Sequence, residues 1–191
     1  MKLESVRVRL FRNIIDSGDV AIEDDVMCLV GKNESGKTAF LQALQRLNPA
    51  RGGAEFSVPD HYPAWLEKRD RMRGQDLEEV RPVSAIFSLG ESELKSLEDR
   101  FGKGCILEPS RITVSRTYGG ALKIRLSVSE EAYVDHLRSK VDWPRGTKTE
   151  ANKLKSVAAL KEYVNGIEPD DDADREALIN EIQASLEEDL A

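Results

Sequence analysis

Val26-Met27-Cys28-Leu29-Val30 runs without a break into Gly31-Lys32-Asn33-Glu34-Ser35-Gly36-Lys37-Thr38, and a helical pattern begins directly after it. The short apolar run predicts a buried strand, so VMCLV-GKNESGKT reads as strand, glycine-rich turn of the form GxxxxGK(S/T), and helix. A strand that stops at such a turn and restarts as a helix leaves several backbone N–H groups without intrahelical partners, and these donors converge on an anion. Gly31 and Gly36 permit backbone angles and a close approach that a Cβ would block. Lys37 is placed to reach the β- and γ-phosphates of a nucleotide, and the Thr38 hydroxyl to ligate Mg²⁺. The pattern implies a nucleotide-binding protein with ATP and Mg²⁺ as its expected cofactors. The bland alternative is a glycine-rich turn before a helix with a fortuitous lysine.

Working outward, residues 3–10 alternate apolar and polar as LESVRVRL, the period of a strand with one wet face. Residues 20–22 form a second short strand candidate after the turn Asp16-Ser17-Gly18-Asp19. Beyond the loop, Phe40, Leu41, Leu44 and Leu47 make one helical stripe, which Asn48-Pro49 ends. Residues 51–81 read as a polar surface insertion with a short helix near 66–75. Strands are expected at 83–89, 112–118 and 122–128, the last two forming a hairpin around Gly119-Gly120, with a helix at 92–101. From Glu130 the pattern is helical, broken at Trp143-Pro144-Arg145-Gly146, with later helices at 150–164 and 175–190. Leu178, Ile182 and Leu186 recur every four residues, which suits a packed edge helix or the base of a coiled coil. The expected division is a lobe over residues 1–138 and a helical extension over 139–191 containing an acidic linker at 168–174.

The chain has 191 residues, 40% of them hydrophobic, enough for one ordinary domain with a core. No run approaches the roughly 18 apolar residues that cross a bilayer, and the start MKLESVRVRL lacks the apolar centre of a signal peptide. A cytoplasmic protein without membrane contact is expected. The net charge of -7 excludes a surface that coats nucleic acid throughout, although the acidic residues are concentrated near the C-terminus and leave the body nearer balance. Cys28 and Cys105 are too few for a disulfide framework or a zinc site and read as reduced thiols.

Leu10-Phe11-Arg12-Asn13 at the end of the first strand, a second short strand, GKNESGKT and the helix AFLQALQRLNP together resemble the N-terminal half of the ATPase head of RecF, Rad50 and SMC proteins. The wording GKNESGKT is closest to the branch holding the OLD-family and related antiphage ATPases. The resemblance covers residues 1–50 in sequence and 80–128 in architecture only. It implies an α/β P-loop NTPase fold, an ABC/SMC-type head lobe with a mixed sheet, antiparallel strands lying before and after the P-loop strand. By position it implies that Gly31, Asn33, Ser35, Gly36, Lys37 and Thr38 bind nucleotide, with Mg²⁺ on Thr38. Arg12 matches the family's strand-closing arginine and approaches the nucleotide or a DNA backbone; the alternative is a solvated strand-end arginine. ATP, DNA and a second head, identical or not, are the implied partners.

Two departures qualify the resemblance. Glu34 stands where many relatives carry glycine, and a carboxylate near triphosphate is unfavourable unless it points away or finds a cation. No hhhhDE segment follows, although hydrolysis needs a strand-end carboxylate on Mg²⁺ and a second one to orient water; the family's signature motif is also not found. No catalytic residue is therefore assigned, and the chain reads as half of a head. Non-hydrolysing sensor or assembly modules and small P-loop kinases are the competing classes. Tyr62, Trp65, Lys68, Arg69, Arg71 and Arg73 place aromatics among cations, either a DNA-facing insertion or a solvated mixed-charge face. Asp60-His61 reads as a surface loop rather than a metal pair, for want of a third ligand.

Overall fold

The computed structural model describes residues 1–49, 55–140, 143, 147–166 and 180. The expected acidic linker at 168–174 lies outside the described residues, as does the helix at 175–190 apart from Asn180. The chain divides into two compact units, one of Met1–Gly90 with Arg111–Leu126 and one of Glu91–Ser110 with Ser127–Ala191.

In the first unit the alternating stretch LESVRVRL builds β1 (Lys2–Phe11), which has neighbours on both edges. Along one edge lie β2 (Ile14–Asp16), paired with Arg9 and Phe11, and β3 (Val20–Ala21), paired with Ser5 and Val6. Along the other lies β4 (Val83–Ser88), followed outward by β5 (Arg111–Arg116) and β6 (Leu122–Leu126). Every one of these ladders is antiparallel. β5 and β6 form the expected hairpin, with Thr117 and Ala121 bonding across its turn.

The segment 26–30, expected as the strand leading into the glycine-rich turn, joins no ladder. Both edges of β1 are already occupied, so nothing offers it a partner there. It keeps a strand's alternation even so: Met27 and Leu29 are half-buried, while Val26 and Val30 are 78% and 88% exposed.

The helix α1 (Lys37–Leu47) packs on the sheet through Ala39, Phe40, Ala43 and Leu47. Two alanines on that face let the helix approach closely, which displaces the expected stripe sideways and leaves Leu41 exposed. The polar stretch 51–81 is more than a surface insertion. It forms α2 (Val58–His61) and α3 (Ala64–Met72), and Phe56, Val58, Tyr62 and Leu77 are buried in the core with Val6, Val8, Phe11, Val83 and Ala85. The apolar residues there are too sparse for a periodic signal, but each fills a core position. His61 is likewise buried rather than on a surface loop: its ring stacks on Phe11 with centroids 5.3 Å apart.

In the second unit, α4 (Glu91–Phe101) and α5 (Glu130–Lys140) precede α6 (Thr147–Ala151) and α7 (Val157–Asn165). The unit begins before residue 139 because Val134 and Leu137 of α5 are buried with Leu160 and Val164 of α7. The helix expected at 150–164 is two helices. Ser156 caps the second, its hydroxyl accepting from the Ala159 N–H.

Two contacts of the first unit yield measurable expectations. The Tyr118 hydroxyl, 2% exposed as a residue, donates to the Leu10 carbonyl at 2.5 Å. Tyr118→Phe should lower unfolding free energy by about 1–3 kcal/mol, read from urea melts, because it leaves that carbonyl without its donor. Asp16 accepts two bonds from the Arg7 guanidinium at 2.9 and 2.7 Å and one from the Gly18 N–H, and these hold its carboxyl down to about 2. A carboxyl depressed on folding stabilises above its unfolded value of about 3.9 and loses that contribution as pH falls through the folded value. Asp16→Asn should therefore flatten the acid limb of the stability curve between about pH 4 and 2, by about 1 kcal/mol or less for a group this exposed.

Candidate functional site

The glycine-rich turn and the start of α1 form one structure. Gly36, at φ 93°, is the N-cap residue, and no side chain caps the helix; the first intrahelical bond runs from the Phe40 N–H to the Gly36 carbonyl at 2.8 Å. The N–H groups of the first turn thus face outward with the positive end of the helix dipole, an arrangement that favours an anion. Inside the loop the Lys37 ammonium donates to the carbonyls of Gly31 at 2.8 Å and Lys32 at 2.7 Å, and to the Ser35 hydroxyl at 3.3 Å. The lysine named from the sequence is therefore held over the hollow by the loop's own acceptors, where an arriving phosphate oxygen would compete for it.

Both glycines sit where a Cβ would be crowded. A Cβ on Gly31 would sit 2.8 Å from the Ser35 hydroxyl, and one on Gly36 would meet Ile14 at 3.0 Å in a left-handed backbone. Glu34 has the left-handed conformation as well, at φ 65°, with its side chain exposed. That geometry explains why glycine suits the position.

A cavity of about 540 Å³ opens on this turn, lined by Asn33, Glu34, Ser35, Gly36, Lys37, Thr38 and Ala39, and by Arg12 and Asn13 from the β1–β2 connection. The volume lies within the roughly 300–1,000 Å³ range of small-molecule sites. Of the residues picked from the sequence, only Gly31 is absent from its wall; it lines a neighbouring cavity of about 530 Å³ with Ile14, Val30 and Phe40. Thr38 is exposed at the mouth, free to present its hydroxyl to a cation on a bound phosphate. Among the described residues, no three His, Cys, Asp or Glu side chains converge to hold a metal.

The β1–β2 connection is under strain where it meets the cavity. Leu10 and Arg12 both have positive φ, 49° and 53°, on either side of fully buried Phe11. The Arg12 N–H is fixed by the His61 carbonyl at 2.5 Å, and the Arg12 guanidinium lies 5.8 Å from the Phe11 ring centre. His61 supports this from behind in its neutral form. Burial, with Arg46 and Arg12 nearby, pushes its pKa below the usual value, and its Nδ1 accepts from the Ser57 N–H. Asn13 went unnoticed in the sequence as a site residue. Its amide nitrogen donates to the Glu34 carbonyl at 2.7 Å, and the only sequence hint was its place directly after Arg12.

Of the aromatic and basic residues at 62–73, Tyr62 is turned inward while Trp65, Lys68, Arg69, Arg71 and Arg73 are exposed. Tyr62 is buried and its hydroxyl donates at 2.8 Å to Asp70, itself 4% exposed and paired with Arg69; burial and Asp70 push the phenol up to about 12. Arg71 pairs with Glu67. Trp65 remains exposed, at 62%.

Over residues 1–189 the chain matches the AAA ATPase domain. It is similar in structure to a chain from work described as "Structural biochemistry of ATP-driven dimerization and DNA stimulated activation of SMC ATPases", with 13% identity and a TM-score of 0.39, covering 86% of this chain and 99% of that one. A sequence comparison with characterised proteins gives no match. With the family match spanning nearly the whole chain, and a phosphate-type turn open on a lined cavity, this protein belongs to the AAA ATPase domain family.

Proposed function

We propose that this chain is the ATP-binding N-terminal part of a RecF/SMC/OLD-like ATPase that works on DNA, in repair or in defence against phage. The observation that carries the reading is the convergence of Lys37, the uncapped start of α1, Thr38 and Arg12 on one cavity. In this reading the first-turn amides and Gly36 receive the phosphates, Lys37 leaves the Gly31 and Lys32 carbonyls for the β- and γ-phosphates, and Arg12 adds a second cation at the rim. Mg²⁺ held between the Thr38 hydroxyl and the phosphates would neutralise charge. Asn33 and Ser35 complete the loop.

Hydrolysis needs a strand-end carboxylate for the metal and a group to orient water, and the sequence supplies no hhhhDE segment for them. The chain accordingly binds ATP and depends on further residues, from a partner head or another part of the machine, for turnover. Pairing of two heads and DNA contact are what the family resemblance implies, and a cytoplasmic location is the expectation drawn from the lack of an apolar run long enough to cross a bilayer. No helix among the described residues is long and apolar enough to cross a membrane.

Two measurements test this. Lys37→Ala should abolish ATP binding in calorimetry while leaving the melting curve within error of wild type, since the side chain bonds only within the exposed loop. Unchanged affinity in that variant would remove the site assignment. The purified chain with ATP and Mg²⁺ should release phosphate at no more than the spontaneous rate. Sustained turnover by the chain alone would place a catalytic carboxylate within it.

A further inference from the structure

A residue with a Cβ pays a steric cost at positive φ, yet Glu34 occupies the left-handed region at φ 65° at the apex of the phosphate loop. Something must hold it there. The Glu34 carbonyl accepts one side-chain hydrogen bond, from the amide nitrogen of Asn13 at 2.7 Å, across a gap of 21 residues in sequence. The donor stands on a fixed base. Asn13 follows Arg12, whose N–H is tied to the His61 carbonyl, and Phe11, which is buried edge-on to Phe56 and stacked on His61. Leu10 before them is tied through its carbonyl to Tyr118. The same turn also seats the loop sterically: Ile14 and the Asn13 carboxamide oxygen lie 3.0 and 3.6 Å from where a Cβ on Gly36 would be.

We propose that Asn13 is a positioning residue for the phosphate loop, its carboxamide holding the peptide after Glu34 in the left-handed geometry that aims the loop's amides into the cavity. The loop is thus set by a side chain of the β1–β2 turn in place of a glycine at position 34. This rests on the nucleotide reading of the cavity. It goes further in making affinity depend on a bond that no nucleotide atom needs to touch.

The test is a set of coupled substitutions read by calorimetry with ATP and Mg²⁺, with thermal melts to confirm folding. Asn13→Ala should weaken ATP binding about tenfold in wild type, the scale of one lost hydrogen bond. In the Glu34→Gln background, which removes the charge but keeps the Cβ, the same tenfold loss is expected. In the Glu34→Gly background the loss should fall below about threefold, because glycine adopts positive φ unaided. An Asn13→Ala loss that persists undiminished with Gly at 34 would show direct contact with the ligand and overturn the positioning role. Wild type that binds ATP while Asn13→Ala binds equally well would overturn this inference alone, and wild type that takes no ATP overturns both readings. Should Asn13→Ala fail to fold, Asn13→Ser, too short to span to the Glu34 carbonyl, carries the same expectations.

Discussion

The uncapped N–H groups at the start of α1 belong to the backbone, and backbone donors point where dihedral angles send them. At Glu34 and Gly36 those angles are left-handed, a region that side chains resist. The geometry of the site is therefore a question of what holds a short, exposed turn in an unfavourable shape. Part of the answer is glycine at 36, where φ is 93° and a Cβ would come within 3.0 Å of Ile14. The remainder comes from outside the loop, through the β1–β2 turn.

That turn in turn depends on the core. Phe11 is fully buried among Phe56, His61 and the sheet, and the strained residues on either side of it are each tied by a hydrogen bond to a distant segment. Strain of this kind persists only where surroundings over-determine it, and it clusters where chains meet ligands. Here the surroundings are supplied by α2, whose His61 provides both the stacking ring and the carbonyl for Arg12. A polar stretch with no periodicity therefore braces the cavity wall.

The local signals were legible where one residue type answers one contact. GKNESGKT announced its turn, its helix and its lysine, and the alternation in LESVRVRL announced β1. Phe56, Val58 and Tyr62 carried no such mark, because isolated apolar residues in a polar run look the same whether they fill a core or dot a surface. The cation-and-aromatic cluster divides between inside and outside for a related reason. Tyr62 spends its hydroxyl on buried Asp70, whose carboxylate Arg69 neutralises from outside, while Trp65, Lys68, Arg71 and Arg73 stay exposed. The run 26–30 was misjudged on pairing alone: its composition is that of an inner strand, but a ladder needs a free neighbour, and β1 has none to give. Asn13 was invisible because its partner is a carbonyl, which every residue carries.

The bond from Tyr118 to Leu10 links positions 108 apart in the chain. During translation the glycine-rich loop leaves the ribosome long before the phenol that steadies its support has been made. Until the last hairpin forms, a nascent chain carries the complete motif on a turn that lacks this one bond, so the support of the loop is finished only with the sheet's final strands.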